Sequence, residues 1–588
     1  MTQTFRGSYG QRSGNPLMVV GSYFSSTEQQ ANRPFQGTSG RELREEFVQA
    51  GLNLDACFQT NVVNVAPGGN DIKELLFSNI EAKAAGIPKE GLFGLYPKPT
   101  LLDGLQELSR AIDCVRPKAI IALGNLPLWA LTKGTAGTII AKEGYKQPSG
   151  ITAWHGSMLR ESATNIPVLP VYEPSYILRA WEDRARNIPT LARRLKQLNT
   201  WDEPPMNFIF PEKYDEDNYN KLMLHLVQLY YHLNNAQKPI IITADIETRN
   251  SMVECIGIGW TATDAVCIPL YDILTESRSC WTVTQETQLM YYVRAILSHP
   301  NAQVCGQNFL FDIQYLRYYF GLNVNLQHDT MIARHVIYPG TPLGLDYLSS
   351  VYCEHHVYWK ADGKEAAAND DKLKRWEYNC RDCVKTYEII TLALQQIASL
   401  NLQWQYVIQM QRVKQTTGAG HPNAAMMVRG VRADIARRTQ ETIAHIEVYE
   451  NTIYKLEAIV PESCRPEKSK TSKSPWYSSP SQLADLFYRV LGCKKMYNKK
   501  TGEVTTDDAA LSKIGKRYPE LSPLTETLSQ LRSLAVFGNF LRMRLGPDER
   551  IRCTYSPTTE TFRYRSSADV FGYGTNLQNI PKGNEEED

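Results

Sequence analysis

Several oxygen-bearing side chains between positions 245 and 382 have a spacing that could bring them together. Asp245 and Glu247 lie two residues apart in the apolar run PIIITADIET. This run predicts a β-strand, on which both carboxylates point to the same face. Two carboxylates placed side by side repel each other unless a cation joins them. A single pair of this kind recurs by chance in long chains, so it needs support from elsewhere in the sequence.

Two further pairs follow, each with a spacing of four residues. Asn308 and Asp312 lie in GQNFLFD, and Tyr378 and Asp382 lie in YNCRD. On a helix this spacing stacks two side chains on one face, one turn apart. Phosphodiester hydrolysis needs a hydroxide-like nucleophile and relief of negative charge, which two Mg²⁺ or Mn²⁺ ions about 4 Å apart can supply, and such hard cations prefer oxygen ligands. The alternative is that these acids are solvated surface charges and that Tyr378 is a core aromatic.

In order and spacing, the three pieces resemble the motifs of DnaQ-like 3′→5′ exonucleases, in the form found in the proofreading domain of DNA polymerase I. The stretch HDTMIARHVIYPGTPLGLDYL extends the resemblance, which covers roughly residues 215 to 400. It implies a ribonuclease H-like domain that uses two Mg²⁺ or Mn²⁺ ions. The implied metal ligands, which are also catalytic, are Asp245, Glu247, Asp312 and Asp382, with Asp245 bridging the ions. Tyr378 is implied to orient the attacking water, and Thr248 and Asn308 are implied to contact the substrate.

A zinc site is the alternative for a second group of residues. Cys380 and Cys383 flank Asp382 in NCRDC, and Cys353 and His355 lie upstream in YCEHH. A lone C-x-x-C without a well-spaced second half is weak support for zinc. Twelve cysteines in 588 residues are also too sparse for a disulfide scaffold and suit buried thiols in a reducing compartment.

Composition indicates a soluble chain of two to four domains. Hydrophobic residues make up 43% and charged residues 21%. No apolar run is long enough to span a membrane, and the start, MTQTFRGSYGQRSGNP, lacks the apolar core of a signal peptide. We therefore expect a cytoplasmic protein with no membrane partner, located in the bacterial host cytoplasm if the chain comes from a bacteriophage.

Proline and acidic residues between positions 199 and 220 predict a linker that separates an α/β first third from the rest. A helix is expected from about Lys221 to Leu233, and a second boundary falls near residue 400. The predicted fold class is α/β multidomain, with regions at 1–200, 201–220 (the linker), 221–400 and 401–588. The last region is expected to be mostly helical.

The C-terminal third resembles the thumb and palm entry of family A DNA polymerases. YSSPSQLADLFYRVLG and KKTGEVTTDDAALSKI are similar to the thumb, and TETFRYRSSADVFGYGTNLQNIP is similar to the stretch that enters the palm. The resemblance implies that Arg563 and Arg565 lie near the primer-template backbone. It also implies that Asn576, Gln578 and Asn579 lie near the minor groove, because amides suit minor-groove acceptors.

The two palm aspartate motifs of that family, D-x-S-x-x-E-x-R and H-D-E, do not occur before Asp588, nor does the fingers helix. We therefore expect that this chain alone does not extend primers, and that palm and fingers reside on a second polypeptide unless the chain is a truncation. From residue 401 onward, 27 Lys and Arg stand against 21 Asp and Glu. The basic clusters suit a phosphate backbone, although solvated loops are the alternative. They comprise Arg465, Lys468, Lys470, Lys473, Lys494, Lys495, Lys499 and Lys500.

The first third resembles uracil-DNA glycosylases, an α/β/α sandwich family, through TNVVNVAPGGND, RPKAIIALGNLPLWAL and LPVYEPSYILRAW. Phe35 falls where the family stacks the flipped uracil, and Asn61 falls where it reads the pyrimidine edge. Ser22 replaces the water-activating carboxylate, and Glu173 replaces a histidine that stabilises the departing base. The region has only two cysteines, Cys57 and Cys114, so no iron–sulfur cluster is expected. We expect an inactive or repurposed domain rather than a working glycosylase.

Together the three regions predict the proofreading 3′→5′ exonuclease portion of a family A replicative DNA polymerase of bacteriophage type. Its expected partner is DNA, both primer-template and single-stranded 3′ ends. A stand-alone exonuclease acting in repair or on RNA is one alternative. A non-catalytic DNA-binding replication subunit is another.

Overall fold

The structure is a computed structural model that describes residues 7–87, 96–137, 150–417, 422–466, 475–498 and 502–580. The chain divides into two compact units, Met1–Gln411 and Arg412–Asp588. Within the described residues, no helix has both the length and the apolar character needed to cross a bilayer. The first unit contains two separate sheets with their helices.

The first sheet has the strand order β2-β1-β3-β5-β4, and only β4 is antiparallel to its neighbour. The strands are β1 (Leu17–Tyr23), β2 (Phe58–Val63), β3 (Ala119–Leu123), β4 (Leu159–Arg160) and β5 (Pro167–Val171). The helices are α1 (Ser26–Ala31), α2 (Gly37–Gln49), α3 (Asn79–Ala84), α4 (Pro99–Val115), α5 (Asn125–Leu131), α6 (Ile151–Trp154), α7 (Pro174–Ile177) and α8 (Arg184–Arg194).

Both faces of this sheet are covered, which is why its strands read as continuous apolar runs. Met18 and Val20 on β1 pack into one hydrophobic cluster with α4 and α5. Val19, between them, points the other way into a second cluster with α2 and α8. The alternation follows from the two-residue period of a strand. This is the α/β/α sandwich that the sequence predicts.

The second sheet has the order β11-β10-β7-β8-β9-β6, with β7, β8 and β9 forming an antiparallel meander. The strands are β6 (Asn207–Ile209), β7 (Ile240–Arg249), β8 (Met252–Gly259), β9 (Asp264–Pro269), β10 (Ala302–Gly306) and β11 (Leu326–Asp329). The helices are α9 (Glu216–Asn235), α10 (Val283–Leu297), α11 (Leu310–Phe320), α12 (Thr330–Ile337), α13 (Leu345–Tyr352), α14 (Lys360–Asn369), α15 (Lys372–Ser399) and α16 (Gln403–Thr417). The long helix α15 packs across β7, β8 and β9.

The segment predicted as a linker contributes to this second sheet. Its strand β6 pairs in parallel with β9, for example Asn207 with Asp264. The following helix begins at Glu216, before the expected start at Lys221, because the Asp215 side chain caps it by accepting a hydrogen bond from the Asn218 N–H (3.0 Å). The domain limits at 200, 220 and 400 remain a prediction.

The second unit is mostly helical, as expected. Its helices are α17 (Pro422–Arg429), α18 (Ile435–Ile459), α19 (Pro480–Asp485), α20 (Asp508–Arg517) and α21 (Ser522–Leu541), and a π-helical turn, Leu486–Val490, follows α19. Its strands are β12 (Val431–Arg432), β13 (Arg550–Ile551), β14 (Thr554–Ser556) and β15 (Arg565–Ser567). Leu456, Phe487, Leu511 and Leu528 belong to the core that joins α18, α20 and α21.

Glu46 on α2 is a carboxyl group buried inside the first sandwich. The Asn187 amide donates to both of its oxygens (3.3 and 3.2 Å). Burial raises the pKa of Glu46 to about 7, and the nearby Glu42 adds to the rise, although the Asn187 hydrogen bond opposes it. The folded chain therefore holds a proton on Glu46 more tightly than the unfolded chain does.

We predict that Glu46→Gln reduces the dependence of stability on pH. Because the folded pKa of about 7 lies above the value of 4.5 for an unperturbed Glu, this group's contribution is complete below pH 4.5 and is lost as pH rises through 7. Between pH 5 and pH 8, this group should lower the free energy of unfolding of the wild type by on the order of 2 kcal/mol. The decrease should be smaller in Glu46→Gln, and thermal unfolding at each pH measures it. The exposed neighbour Glu45→Gln serves as the control, and equal pH dependence in all three proteins would contradict the assignment.

Candidate functional site

Three carboxylates converge at the surface of the second sheet. Asp245 and Glu247 lie on the same face of β7, and Asp382 comes from α15, which crosses that face. Their oxygen atoms all lie within 4.8 Å of one another. The prediction that the D-x-E pair shares one face of a strand is therefore confirmed, and so is the helical placement of Tyr378 and Asp382 four residues apart.

The carboxylates are difficult to ionise where they lie. Burial raises the pKa of Asp245 well above its usual value, and the neighbouring Asp312 and Asp382 raise it further. Burial also raises the pKa of Glu247 to about 7, again with a contribution from Asp382. A bound divalent cation would reverse both effects, since it offsets the repulsion and favours the ionised forms. Three oxygen donors at this distance fit a hard cation such as Mg²⁺ or Mn²⁺.

Three side chains that the motifs did not predict hold these carboxylates. The Asn379 amide donates to Asp245 Oδ2 (2.9 Å). The Lys360 ammonium donates to Asp382 Oδ2 (2.6 Å), and the Trp359 indole N–H donates to Asp382 Oδ1 (2.6 Å). Asn379 could have been found, because it lies three residues before Asp382 on the same helix. Trp359 and Lys360 could not be predicted as site residues, because the sequence around them has no periodic pattern.

Lys360 and Tyr378 keep their usual protonation at neutral pH. Burial lowers the pKa of Lys360, but Asp382, Asp245 and Glu247 outweigh that effect and raise it overall. Lys360 also donates to the Tyr378 hydroxyl (2.7 Å). Burial raises the pKa of Tyr378 far above its usual value, and Asp382 adds to the rise. Tyr378 is therefore a phenol that can orient a water molecule but cannot accept its proton as a base.

Asp312 lies beside the three carboxylates but is not one of the group that converges. It sits in the first turn of α11, is 4% exposed, and its Oδ1 accepts a hydrogen bond from the Ile246 N–H (2.9 Å). Burial raises its pKa to about 8. Its role as a metal ligand remains a prediction.

Asn308 does not share a helix face with Asp312, so that part of the prediction is wrong. The helix begins at Leu310, and Asn308 has a left-handed backbone with φ +55°, which Asn adopts more readily than most residues. Asp329 holds this turn because its carboxylate accepts from the Asn308 N–H (3.2 Å) and the Phe309 N–H (2.8 Å). Thr248 lies at a register shift of β7, directly after Glu247.

The C-terminal residues implied to contact DNA belong to the second unit and differ in their surroundings. Arg563, Arg565 and Asn579 are exposed. Gln578 is exposed as well, and its amide donates to the Tyr564 carbonyl (3.0 Å). Asn576 is half-buried, and its Oδ1 accepts from Ser566 Oγ (2.5 Å). Five residues of the predicted basic clusters lie outside the described residues: Lys468, Lys470, Lys473, Lys499 and Lys500.

The residues that correspond to a glycosylase pocket lie at the ends of β1, β2 and β5. A Cβ added at Gly21 would lie 2.2 Å from Asn61 Oδ1 and 2.9 Å from the Phe35 ring, so both side chains crowd this glycine. Ser22 and Asn61 are buried, and Asn61 Nδ2 has no hydrogen-bond partner among the described residues. Burial raises the pKa of Glu173 to about 7. A large share of Glu173 is therefore protonated near neutral pH, so its charge alone does not exclude a glycosylase role.

The zinc alternative is wrong. Cys380 and Cys383 face the sheet from α15 and pack in an apolar cluster with Cys255, Cys267 and Trp376. Among the described residues, the group of three or more possible metal ligands that converges is Asp245, Glu247 and Asp382. The cysteines instead fill the space between α15 and the sheet.

Comparison with known proteins identifies two regions of the chain. Residues 8–198 match the uracil DNA glycosylase superfamily, and residues 244–397 match a 3′-5′ exonuclease family. The second region is a 3′-5′ exonuclease domain. The first is a glycosylase-like region, and each match covers less than half of the chain.

Similarity to whole proteins is weak. No curated protein matches the chain. Among solved structures, one similar chain is the POL domain of Pol1 from M. smegmatis, in complex with DNA primer-template and dNTP, at 16% identity and a TM-score of 0.44. The match covers 64% of this chain and 57% of that chain.

We predict that Mn²⁺ binds to the carboxylate cluster and that Asp382→Asn weakens this binding at least about tenfold. The substitution removes one anionic ligand and leaves Lys360 without its partner, so the local charge becomes less favourable to a cation. Calorimetric titration with Mn²⁺ measures the effect. Asp217→Asn, an exposed acid on α9, is the matched control. Unchanged affinity in Asp382→Asn would contradict the site.

Proposed function

We propose that this chain is the metal-dependent proofreading exonuclease portion of a family A replicative DNA polymerase. The observation that carries the proposal is the convergence of Asp245, Glu247 and Asp382 inside a region that matches a 3′-5′ exonuclease family. Acids from a strand and from a distant helix would repel each other at this distance, so their clustering is best explained by a bound cation.

The proposed cofactors are two Mg²⁺ or Mn²⁺ ions, held by Asp245, Glu247, Asp312 and Asp382. When bound, they would lower the pKa of the attacking water and stabilise the leaving 3′ oxygen. The chain's own residues provide orientation: the Asn379 amide fixes the Asp245 carboxylate, and the Trp359 indole fixes that of Asp382. Both carboxylates are thus held in place before a substrate arrives, which reduces the reorganisation needed during the reaction.

Tyr378 and Lys360 have separate proposed roles at this centre. The neutral Tyr378 hydroxyl would orient the attacking water, with its own position set by the Lys360 ammonium (2.7 Å). Lys360 carries a positive charge into a site where a phosphodiester must enter among carboxylates. Its ammonium would therefore attract the substrate phosphate, as cations do at sites of phosphoryl transfer.

Two other functions remain as alternatives. A stand-alone exonuclease in repair or RNA processing would use the same centre, but it does not account for the thumb-like and palm-entry stretches of the last third. A non-catalytic DNA-binding subunit would have no use for the cluster of converging carboxylates. We propose primer-template DNA and single-stranded 3′ ends as the partners, and a second polypeptide as the carrier of palm and fingers.

We predict that the protein digests a primer with a mismatched 3′ end in the presence of Mg²⁺, and that Asp245→Ala lowers the rate more than about a hundredfold. A metal site supplies several kcal/mol of transition-state stabilisation, and each 1.4 kcal/mol is a factor of about ten. Gel analysis of labelled primers measures the rate. Binding of the same DNA by Asp245→Ala should persist.

The control for this experiment is Asp217→Asn, which should digest DNA as the wild type does. A wild-type protein that leaves the primer intact with Mg²⁺ and with Mn²⁺ would contradict the proposed function and favour a binding subunit. Full activity in Asp245→Ala would indicate a contaminant or a different site. Equal rates on RNA and DNA primers would favour the stand-alone alternative.

For the glycosylase-like region, we propose that base excision has been lost. Ser22 cannot act as the carboxylate that activates water, and this deficit is independent of pH. We predict no release of uracil from single-stranded DNA at pH 8 or at pH 6, where Glu173 is mostly protonated and could donate a hydrogen bond. Release at pH 6 alone would show that Glu173 replaces the histidine, and release at both values would show a working glycosylase.

A further inference from the structure

The glycosylase-like region makes several contacts with residues 350–360 of the exonuclease domain, here called the approach segment. Arg193 on α8 donates three hydrogen bonds to it. The acceptors are the carbonyl oxygens of Ser350 (2.8 Å), Val351 (2.5 Å) and Tyr352 (3.1 Å). These are carbonyls of the last turn of α13, which have no partner inside the helix. Arg193 therefore caps that helix from another domain.

Arg194 extends the same contact. Its side chain is fully buried, and its guanidinium donates to the Glu354 carbonyl oxygen. Burial, together with the adjacent Arg193, lowers the pKa of Arg194 to about 9. Burying a guanidinium in this way is costly unless it is paired, so the Glu354 contact stabilises both regions together. Arg186 adds a hydrogen bond to Ser350 Oγ (2.8 Å).

A loop of the glycosylase-like region holds the remainder of the approach segment. The Met158 N–H donates to the His356 carbonyl (2.7 Å), and Ser157 Oγ accepts from the Tyr358 N–H (3.2 Å). The Trp154 ring packs edge-on against that of Tyr358, with centroids 5.2 Å apart. The next residue after Tyr358 is Trp359.

The approach segment needs such partners because residues 353–359 have no regular secondary structure, yet several of them are buried. A buried irregular backbone cannot satisfy its own N–H and C=O groups. The Lys385 ammonium from α15 supplies one partner, to the His355 carbonyl (2.9 Å). The glycosylase-like region supplies the partners at His356 and Tyr358. Without it these groups would turn to water, and the segment would loosen.

The end of this segment lies in the carboxylate cluster. Trp359 and Lys360 each donate to Asp382 at 2.6 Å. We propose that the glycosylase-like region is a positioning brace for the exonuclease centre, in which Arg193, Arg194 and Ser157 fix the approach segment and so place Trp359 and Lys360 on Asp382. This inference rests on the proposed exonuclease function. In it, Arg193 is a positioning residue that acts through Lys360 and touches no reacting atom.

The first test measures the approach segment directly and does not depend on activity. Hydrogen exchange of peptides covering residues 350–360 is compared in the full-length wild type, Arg193→Ala, Arg193→Lys and Arg44→Ala. Arg44 belongs to the same region and pairs there with Asp55 (2.8 Å), so it is the matched control. We expect at least about tenfold faster exchange in Arg193→Ala, partial recovery in Arg193→Lys, and no change in Arg44→Ala. Unchanged exchange in Arg193→Ala would overturn the brace.

The second test asks whether Arg193 acts through Lys360. We expect Arg193→Ala to lower kcat for primer digestion about tenfold or more with little change in KM, because small misplacements of a catalytic group have effects of this size. In a Lys360→Ala background, Arg193→Ala should cause a clearly smaller loss, since Trp359 is then the only one of the two positioned groups that remains. A simple loss of folded protein would lower activity by the same factor in both backgrounds.

Equal losses in the two backgrounds, or no loss in either, would overturn the proposal. Its failure is distinguishable from failure of the proposed function. A wild-type protein that digests DNA while Arg193→Ala shows normal exchange and activity would refute only the brace. A wild-type protein that digests nothing would refute the exonuclease function, and the exchange measurement would still show whether the approach segment is held.

Discussion

The repulsion among three carboxylates packed within 4.8 Å is the constraint on which the rest of the exonuclease domain depends. Asp245 and Glu247 are close because a strand places alternate residues on one face, and α15 then brings Asp382 over that face. The pKa values of Asp245 and Glu247 rise chiefly because burial removes water from their ionised forms, and the repulsion from neighbouring carboxylates adds to the rise. Lys360 supplies positive charge beside the cluster, and Asn379 and Trp359 each fix a carboxylate oxygen in place.

These compensating groups come from different parts of the chain. Asn379 is on α15 itself, so the helix that brings Asp382 also brings a donor for Asp245. Trp359 ends the irregular stretch before α14, and Lys360 is the first residue of that helix. The stretch itself makes hydrogen bonds to the glycosylase-like region at His356 and Tyr358. The three carboxylates thus lie on a strand and a long helix. The positive charge of Lys360, in contrast, comes from the approach segment, which contacts the glycosylase-like region. An exonuclease centre built this way links its geometry to the domain that precedes it.

Local sequence patterns are sufficient to predict the positions of the carboxylates, but not those of the side chains that hydrogen-bond to them. The strand carrying Asp245 and the helix carrying Asp382 follow from periodicity, and the structure has both. The left-handed turn at Asn308 could not be predicted from a spacing of four, because Asp329, twenty-one residues later, sets that turn. Strand β6 could not be predicted from the sequence because its three residues lie among prolines and acids. Their extended conformation depends on pairing with β9. Trp359 and Lys360 could not be predicted as site residues either, because their positions depend on contacts with residues distant in the sequence, such as Asp382.

Glu203 shows how closely the predicted linker is tied to this arrangement. Arg381, the neighbour of Asp382 on α15, donates to both Glu203 oxygens (2.7 and 2.8 Å), and Lys385 lies 3.7 Å away, one turn further along. Burial opposes ionisation of Glu203, but its hydrogen bonds and these cations outweigh that effect and lower its pKa to about 2. The chain that leaves the glycosylase-like region is therefore fastened to the helix that carries Asp382. A region held at both this point and the approach segment can keep its supporting role while its pocket residues, such as Ser22 and Glu173, change, because none of the supporting hydrogen bonds comes from them.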